Sequence, residues 1–535
     1  MYLTLVKYAS IHSTNCHRPH LSANPMQSLE LLLEALLLLR MCASTAARPS
    51  KPSVTLYKST RNFELNPSVQ HIPLNPLQRD LRPPPGHVPR AFEIHVGSSV
   101  YRDGHRCGKT LFTALKRAVH PERLRFGILE QLLEGDAACL DEYCTLAATE
   151  WSDDTACRYK DQIQVTTRHA AEASGCTTAR HQQQKMIGTE EFCLQVDGHS
   201  LFTNGWDEML LKEWKRIDNE MAILTAYPHD LHDFIQENGD NNVPNWIPHL
   251  CSIIRGGNSL PRIPGASIKF HAAFPQLAAL WGGGLSFSKC HAERNVPVDS
   301  HTPWLWDGEE FLRSIDYWTH GYDLYSPSQL GTVLYHNYSQ KPANFWKGPI
   351  DPAIKEKEKE MTHNRVRLRL GIGFKGPVDA FELDKYKFGT ARTLQQYLEF
   401  ANTSLGGDMN ATHSCRQLHW VPYSNASEVE EIVGRGWRMI PVSDEVMQAM
   451  DAQEGNRAGK DEDATPSIRQ GLARRAPLTS PMTVAWGLLA IGLLLVVMLS
   501  NDPTSQAIRQ CFIMIVPGSS QMNRGRMSKT NRVVE

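Results

Sequence analysis

The sequence predicts an α/β fold, in which a mixed sheet is flanked by helices and a transmembrane helix follows near the carboxyl end. Three observations predict it. Segments 91–103 and 123–131 read as strands with a helical segment between them, the order that begins many α/β sheets. Residues 192–196 form an apolar run suited to a buried parallel strand. Residues 482–499 form an uncharged apolar run long enough to span a bilayer.

The overall composition is that of a globular chain with tails. Its 535 residues are 41% hydrophobic and 21% charged, and the formal net charge is −1. This length allows one large domain or two. Binding to nucleic acid needs a clustered basic excess, and the sequence has no such block. We therefore expect no nucleic-acid partner.

The cysteines are spread singly along the chain, without a Cys-x-x-Cys pair or a zinc-binding spacing. They number twelve. They stand at positions 16, 42, 107, 139, 144, 157, 176, 193, 251, 290, 415 and 511. Reduced, buried thiols are the favoured interpretation over a disulfide framework.

The amino-terminal part is expected to precede the folded domain. Residues 1–47 contain a leucine run interrupted by Glu30 and Glu34, which suits either a weak signal peptide or a plain amphipathic or buried helix. Residues 48–90 are rich in proline and lack apolar periodicity, so they are predicted to be an extended linker. The folded domain is predicted to begin at residue 91.

The domain then alternates strands and helices. The loop after the first strand is where the base and ribose of a nucleotide usually lie in such a sheet. Gly104 to Thr110 is not a phosphate-binding loop of the Walker type, because three residues rather than four separate its glycines. Other predicted elements are a helix over 108–119, a strand over 161–170, a helix over 174–187, an excursion outside the sheet over 228–265 and a solvated helix over 353–366.

The apolar run at 192–196 ends in Asp197, Gly198 and His199. Two residues apart on an extended segment, the aspartate and the histidine project to the same side and can share a divalent cation. An ordinary Asp-Gly turn followed by a solvated histidine is the alternative. The triplet alone does not decide between them.

The flanks of this triplet resemble a known family. The family pattern reads Leu-Gln-x-Asp-x-His-x-x-Phe-x-x-x-Trp-Asp, and it is matched by Leu194, Gln195, Asp197, His199, Phe202, Trp206 and Asp207. The chain thereby resembles the polypeptide N-acetylglucosaminyltransferases that modify hydroxyproline, which are related to the polypeptide N-acetylgalactosaminyltransferases. Five matched blocks follow in the family's order between residues 91 and 404.

The other blocks extend the resemblance. One is Tyr101-Arg102-Asp103, with Val100 where the family has serine. A second is the glycine run that includes Gly283 and Gly284, before a strand and then His291-Ala-Glu293, whose His and Glu are expected to be structural or near the site. Two more are the acidic pair Glu309-Glu310, which a helix start would also favour, and 387–401, which is similar to the family's closing helix.

The resemblance implies a GT-A-like nucleotide-sugar-binding sheet and assigns site residues. Donor contacts would come from Ser99, Tyr101, Arg102, Asp103, Arg180, Asp197, Gly283 and Gly284. Catalytic candidates are Glu309, Glu310 and Arg180, although Arg180 also suits a surface ion pair. The metal ligands would be Asp197, His199 and His336, with His320 as the second choice for the last. A mixed nitrogen and oxygen set suits Mn²⁺, or another divalent cation, better than Mg²⁺.

The carboxyl-terminal part is expected to tether the domain. Residues 405–451 are an unassigned extension, 452–481 a polar linker, 482–500 the transmembrane helix and 501–535 a tail. A buried helix of a folded domain is the alternative for the apolar run. The flanking arginines weakly place the catalytic domain on the cytoplasmic side. The alternative is a catalytic domain in the secretory lumen, which would follow if residues 27–47 were a cleaved signal. Asn-x-Ser/Thr sequons, which matter only there, stand at Asn337, Asn402, Asn410 and Asn425.

We therefore expect a membrane-tethered enzyme that moves N-acetylglucosamine from UDP-GlcNAc to a polypeptide hydroxyl, on hydroxyproline, serine or threonine, with retention of configuration. One alternative keeps the fold and changes the donor, for example to UDP-GalNAc. The other is an inactive membrane-tethered sugar-binding or scaffold protein. The expected partners are a UDP-sugar, a polypeptide acceptor and a membrane, and a homodimer remains open.

Overall fold

The computed structural model describes residues 54–58, 61–152, 157–231, 235–339, 343, 345–348, 350–406 and 413–440. The regions predicted as the amino-terminal segment 1–47, the linker 452–481, the transmembrane helix 482–500 and the tail 501–535 lie outside these residues. Within the described residues, no helix combines the length and apolarity needed to cross a membrane.

The described residues form seventeen strands and nine α-helices. The strands are β1 Val54–Lys58, β2 Arg61–Leu65, β3 Ile94–Tyr101, β4 Leu124–Leu132, β5 Ile163–His169, β6 Phe192–Val196, β7 Ser200–Phe202, β8 Ala222–Ala226, β9 His229–Asp230, β10 Trp246–His249, β11 Ile254–Arg255, β12 Pro261–Arg262, β13 Ser267–Phe270, β14 Gln276–Ala278, β15 Leu285–Lys289, β16 Asp323–Ser326 and β17 Leu334–His336. The helices are α1 Gly104–Arg117, α2 Cys139–Glu150, α3 Cys176–Gln184, α4 Trp206–Ile217, α5 Cys290–Asn295, α6 Glu309–Thr319, α7 Pro352–Arg369, α8 Leu394–Phe400 and α9 Ser427–Val433.

The central sheet has eight strands in the order β14-β16-β8-β15-β6-β3-β4-β5. Strands β6, β3, β4 and β5 run parallel to one another, whereas β15 runs antiparallel between β6 and β8. The predicted α/β class with a mixed sheet is confirmed. Because β15 runs in the reverse direction, its first residues lie at the same edge as the carboxyl ends of β3, β6 and β8.

Burial on both faces explains why the central strands read as continuous apolar runs. In β6, Phe192, Leu194 and Val196 are buried, as is Cys193 between them. Helix α4 covers one face with Trp214, which is fully buried and donates its indole N–H to the carbonyl of Ala222 at 3.0 Å.

The prediction of a linker over 48–90 is wrong for its first part. Strands β1 and β2 pair as a hairpin, and β1 also pairs antiparallel with β13, so that Thr55 faces Phe270. With β10 they form a separate four-stranded sheet. The pairing partner is about 200 residues away along the chain, so local composition could not reveal it. The excursion over 228–265 contributes only short strands outside the central sheet, as expected.

The extension that followed the predicted domain also packs against it. Residues 413–440 place Trp420, Tyr423 and Val429 in a buried cluster with Ile223 and Leu324 of the central sheet. Trp420 donates its indole N–H to Asp323 at 3.0 Å. The folded unit therefore continues past residue 404, because this segment covers a sheet face that would otherwise be exposed.

The interpretation of reduced thiols is also wrong. Eight of the nine described cysteines form disulfides: Cys107–Cys139, Cys144–Cys157, Cys193–Cys290 and Cys251–Cys415. The partners are 13 to 164 residues apart along the chain. Spacing along a sequence does not report such pairs, because only the fold brings their Cα atoms within the reach of a disulfide.

Candidate functional site

A cavity of about 930 Å³ opens at the edge of the sheet where β3, β6 and β8 end and β15 begins. Helices α3 and α6 point their first turns into it, and β17 closes one side. Most of the predicted site residues line this cavity: Ser99, Tyr101, Asp103, Arg180, Asp197, His199, Gly283, Gly284, Glu309, Glu310 and His336. Residues from four elements, β3, α3, α6 and β17, and from the segments after β3, after β6 and before β15 thus meet at one place.

Arg102 is the exception among the predicted donor contacts. Its guanidinium makes two hydrogen bonds to the carboxylate of Asp136, at 2.7 and 2.9 Å, and it does not line the cavity. The backbone at Arg102 has a positive φ of 51°, which turns the chain as β3 ends. Its neighbours Tyr101 and Asp103 face the cavity while Arg102 turns to the loop that follows β4.

The three predicted metal ligands converge. One ligand atom from each of Asp197, His199 and His336 lies within 4.8 Å of the other two. Nε2 of His336 is 3.1 Å from Oδ2 of Asp197, and the two imidazole rings have centroids 4.4 Å apart. The second choice, His320, lies at the end of α6 with Nδ1 against the carbonyl of Asp316 at 2.7 Å, and it is not part of this cluster.

Strand pairing explains the convergence. Asp197 and His199 follow β6, and the chain continues directly into β7. Strand β17 pairs antiparallel with β7, which sets His336 opposite Ser200. The N–H of Asn337 donates to the carbonyl of His199 at 3.0 Å. Two short strands therefore carry the distant histidine to the Asp-Gly-His turn.

The cluster fits a divalent cation of the manganese type. Burial alone would raise the pKa of Asp197, but the hydrogen bond and charge of His336, with His199 and Arg180, lower that pKa to about 2. The group is therefore an ionised carboxylate at neutral pH. Nδ1 of His336 is buried and has no hydrogen-bond partner among the described residues. One carboxylate with two imidazoles is a donor set that accommodates Mn²⁺.

A charged network lies beside the cluster. Arg180 of α3 pairs with the carboxylate of Glu309 at the start of α6, and its Nη2 is 3.9 Å from Oδ1 of Asp197. Burial would lower the pKa of Arg180, yet the charge of Glu309, followed by Cys176 and Asp197, raises it. The guanidinium thus stays cationic next to the carboxylate of Asp197.

The second acid of the pair, Glu310, accepts two hydrogen bonds. The hydroxyl of Tyr227 donates to its Oε2, and the N–H of Gly283 donates to its Oε1 at 3.0 Å. Burial, and then the negative charge of Glu309, raise the pKa of Glu310 to about 7 even though both hydrogen bonds act in the opposite direction. This carboxyl group therefore changes its charge near neutral pH.

The other predicted positions have structural explanations. His291 contacts the hydroxyl of Tyr322 at 2.9 Å, away from the cavity. Glu293 accepts from Arg313 at 3.1 Å and from the hydroxyl of Tyr317 at 2.5 Å. These buried bonds hold α5 against α6, so both residues support the fold.

A family model described as Glycosyltransferase (GlcNAc) matches residues 93–405. The chain belongs to this family. The match covers the cavity, the three-residue cluster and both acidic side chains of α6, and it makes the chain a glycosyltransferase by family.

Several solved glycosyltransferases are similar to this GlcNAc-family chain at low identity. A structure of GalNAc-T7 with UDP, GalNAc and Mn²⁺ shares 14% identity over 58% of this chain and 57% of that one, with a TM-score of 0.37. The mannosyltransferase PcManGT from Pyrobaculum calidifontis, in complex with GDP-Man and Mn²⁺, shares 12% over 70% and 83%, with a TM-score of 0.32. S. aureus TarS 1–349 with UDP-GlcNAc shares 12% over 55% and 78%, with a TM-score of 0.29.

These similarities do not determine a donor or an acceptor, since every TM-score is below 0.5. The chain spans a little over half of the GalNAc-T7 structure, 57% of its length. No curated protein matches the chain.

Some residues of this GlcNAc-family site were not identified from the sequence. Tyr227 directly follows β8, so the position after a buried strand could have indicated it. Cys176 places Sγ 3.0 Å from Oε2 of Glu309. Trp306 and Trp346 line the mouth of the cavity and are 62% and 42% exposed, with ring centroids 6.0 Å apart. No local pattern indicated that these two tryptophans would meet.

Proposed function

We propose that this chain transfers N-acetylglucosamine from UDP-GlcNAc to a polypeptide hydroxyl, on hydroxyproline, serine or threonine, with retention of configuration. The observation that carries the proposal is the meeting of Asp197, His199 and His336 with Arg180 and the acidic pair of α6 in one cavity, within a domain of the GlcNAc family. The three ligand side chains can hold a cation, Arg180 can stabilise a diphosphate leaving group, and the acidic pair can accept hydrogen bonds from the hydroxyls of a sugar.

The difficult step is the departure of UDP, because negative charge develops on its phosphate oxygen as the bond to C1 of the sugar breaks. A divalent ion, when bound by Asp197, His199 and His336, supplies Lewis-acid stabilisation of that charge. Arg180 adds a fixed cation 3.9 Å from Asp197, and Glu309 holds the guanidinium in place. Such preorganised charge needs no rearrangement as the transition state forms.

The new bond joins the acceptor oxygen to C1 on the face that UDP leaves. In this same-face attack, the acceptor's proton passes to the departing phosphate oxygen, so no protein base is required. A double displacement would instead need an uncommitted carboxylate across from C1. Both oxygens of Glu310 already accept hydrogen bonds, and Glu309 is paired with Arg180. A trapped glycosyl-enzyme would refute same-face attack.

The proposal is tested by donor hydrolysis and transfer with the full chain. UDP-GlcNAc, UDP-GalNAc and GDP-mannose are each incubated with Mn²⁺ and with peptides that contain hydroxyproline, serine or threonine. We expect turnover of UDP-GlcNAc in preference to the other two donors, and transfer to at least one peptide. Preference for UDP-GalNAc would keep the site and change the sugar. No turnover of any donor would indicate the inactive sugar-binding alternative.

Glu310 should give transfer a dependence on pH near neutrality. Because its pKa is raised to about 7, the carboxylate that can accept hydrogen bonds from the sugar forms only as pH rises through that value. We expect the rate to increase between about pH 6 and about pH 8 and to follow a single ionisation. Glu310→Gln should be about 10²-fold slower and flat over this range.

The exposed Glu134 provides the matched control, since Glu134→Gln should keep the wild-type profile. Full activity of Glu310→Gln would remove this residue from the mechanism.

The raised pKa of Glu310 has a second consequence, for the stability of the folded state. At a pH between 4.5, the ordinary pKa of a glutamate, and about 7, Glu310 ionises in the unfolded chain but stays protonated in the folded chain. The folded state should therefore lose stability as pH rises toward 7.

Gly283 is predicted to be essential for the position of Arg180. A Cβ atom at this residue would fall on the guanidinium of Arg180. We expect Gly283→Ala to displace that side chain and to lower kcat/KM for the donor by about 10²-fold, because small displacements of a positioned charge are costly. In the control Gly373→Ala the added Cβ would meet nothing within 4 Å. Equal kinetics for the two variants would exclude Arg180 from donor binding.

A further inference from the structure

The disulfides are distributed over the whole described domain. Cys107–Cys139 joins α1 to the start of α2, and Cys144–Cys157 closes the loop after α2. Cys193–Cys290 links β6, in which Cys193 pairs with Ser288, to the first residue of α5, which directly follows β15. Cys251–Cys415 joins the segment after β10 to the carboxyl-terminal part. Each pair therefore ties different parts of the fold together.

Six of the eight paired cysteines are buried in the core, and Cys144 and Cys157 are partly buried. Cys139, Cys251, Cys290 and Cys415 are 0% exposed, and Cα atoms of paired residues are 4.8 to 5.2 Å apart. Disulfides persist in secreted and lumenal proteins and are rare where glutathione keeps thiols reduced. Four independent pairs, three of them buried, with Cys176 as the one remaining thiol among the described cysteines, are therefore the pattern of a domain that folds in an oxidising compartment.

The sequons agree with that environment. Asn402 follows the end of α8 and Asn425 precedes α9, and both asparagines are exposed in connecting segments. Their sequon serines, Ser404 and Ser427, are exposed as well. A glycan on either asparagine would extend into solvent without displacing any core element.

Asn337 is different. It lines the cavity next to His336, and its Oδ1 accepts from the N–H and the hydroxyl of Ser339 at 3.0 and 2.9 Å. A glycan on this side chain would occupy the space that a donor needs. The active domain should therefore carry no glycan at this sequon.

We infer that this domain folds in an oxidising, N-glycosylating compartment, where it forms its four disulfides and carries N-glycans on Asn402 and Asn425. Each disulfide forms by exchange with a dithiol–disulfide oxidoreductase, which accepts two electrons and becomes the dithiol. Each glycan arrives from a lipid-linked oligosaccharide pyrophosphate, whose C1 bonds to the asparagine Nδ2 as the lipid pyrophosphate leaves and the amide loses one proton. This placement opposes the cytoplasmic side that the flanking arginines favour.

The test makes the full chain in two forms in a eukaryotic cell, one directed to the secretory lumen by an added leader and one kept in the cytosol. N-ethylmaleimide blocks free thiols at lysis under denaturing conditions, and a second alkylating reagent marks the cysteines released by reduction. In the lumenal form we expect, among the nine cysteines that the structure describes, the first label on Cys176 and the second on the eight paired cysteines. Deglycosylation by an amidase should convert Asn402 and Asn425 to aspartate, as detected by mass spectrometry.

Protease resistance and UDP-GlcNAc hydrolysis are then compared between the forms. We expect the lumenal form to resist the protease. We expect the cytosolic form to be degraded faster and to lose UDP-GlcNAc hydrolysis. Asn402→Gln and Asn425→Gln should each remove one glycan and leave hydrolysis unchanged. A resistant, fully thiol-reactive cytosolic domain would overturn the inference, as would a lumenal domain without glycans at both positions. If neither form hydrolyses any donor, while the labels and glycans are as expected, the proposed function fails and this inference stands.

Discussion

Asp197→Ala is expected to lower sugar transfer by about 10³-fold, the scale of losing several kcal/mol of charge stabilisation at the leaving group. The carboxylate is the only anionic member of the Asp197, His199 and His336 cluster. Its removal leaves two imidazoles, which bind a divalent cation more weakly than the full set. The apparent Mn²⁺ requirement should therefore rise together with the loss of rate.

The measurement is a titration of Mn²⁺ at saturating UDP-GlcNAc for wild type and Asp197→Ala. Asp141→Ala is the matched control, because Asp141 is exposed on α2, outside the cavity. The unfolding midpoint must be recorded as well. Because the pKa of Asp197 is lowered to about 2 in the folded chain, its charge stabilises the folded state at pH values above the ordinary pKa of an aspartate. That contribution is lost as pH falls through about 2. Unchanged transfer at low Mn²⁺ would refute the metal site.

The second large effect concerns the disulfide Cys193–Cys290, at the opposite end of β6 from Asp197. Replacing both Cys193 and Cys290 with serine should lower the free energy of unfolding by about 4–5 kcal/mol, the value for opening a loop of roughly 100 residues in the unfolded chain. The two cysteines are separated by 97 residues. Both are replaced together so that neither sulfur is left to exchange with Cys176.

The matched comparison is the double serine variant at Cys144 and Cys157, which are 13 residues apart. The shorter loop predicts a smaller loss, about 3 kcal/mol. Urea unfolding without reductant measures both variants. If the Cys193 and Cys290 variant were as stable as wild type, these sulfurs would not be joined in the folded protein. Because β6 positions Asp197, the Cys193 and Cys290 variant should also lose transfer activity at temperatures where wild type remains folded.

Much of the central fold was predictable because its signals are local. The run Phe192 to Val196 predicted β6, since a strand buried on both faces needs apolar residues throughout. Leu111 and Leu115, both buried, predicted the helical spacing of α1. Asp197 and His199 are two residues apart, so their shared direction followed from strand geometry alone.

Elements that depend on distant partners were not predictable in this way. The hairpin of β1 and β2 read as linker, because its pairing with β13 is not visible in its own composition. Trp420 and Tyr423 lie in the segment predicted as an unassigned extension, because the sheet face that they cover is formed by residues far away in the sequence. The thiols read as reduced, because the spacing of cysteines does not encode which of them meet.

The sequence by itself determined that a buried strand ends in an aspartate and a histidine aimed to one side, within five blocks that resemble one transferase family. Only the tertiary structure decided that His336 rather than His320 completes the cluster, that Arg102 turns away to Asp136, and that Tyr227 holds Glu310. The physical reason is the separation along the chain over which each kind of interaction acts. Local dihedral and burial preferences act over a few neighbouring residues, whereas the pairing of β17 with β7 joins segments more than 130 residues apart.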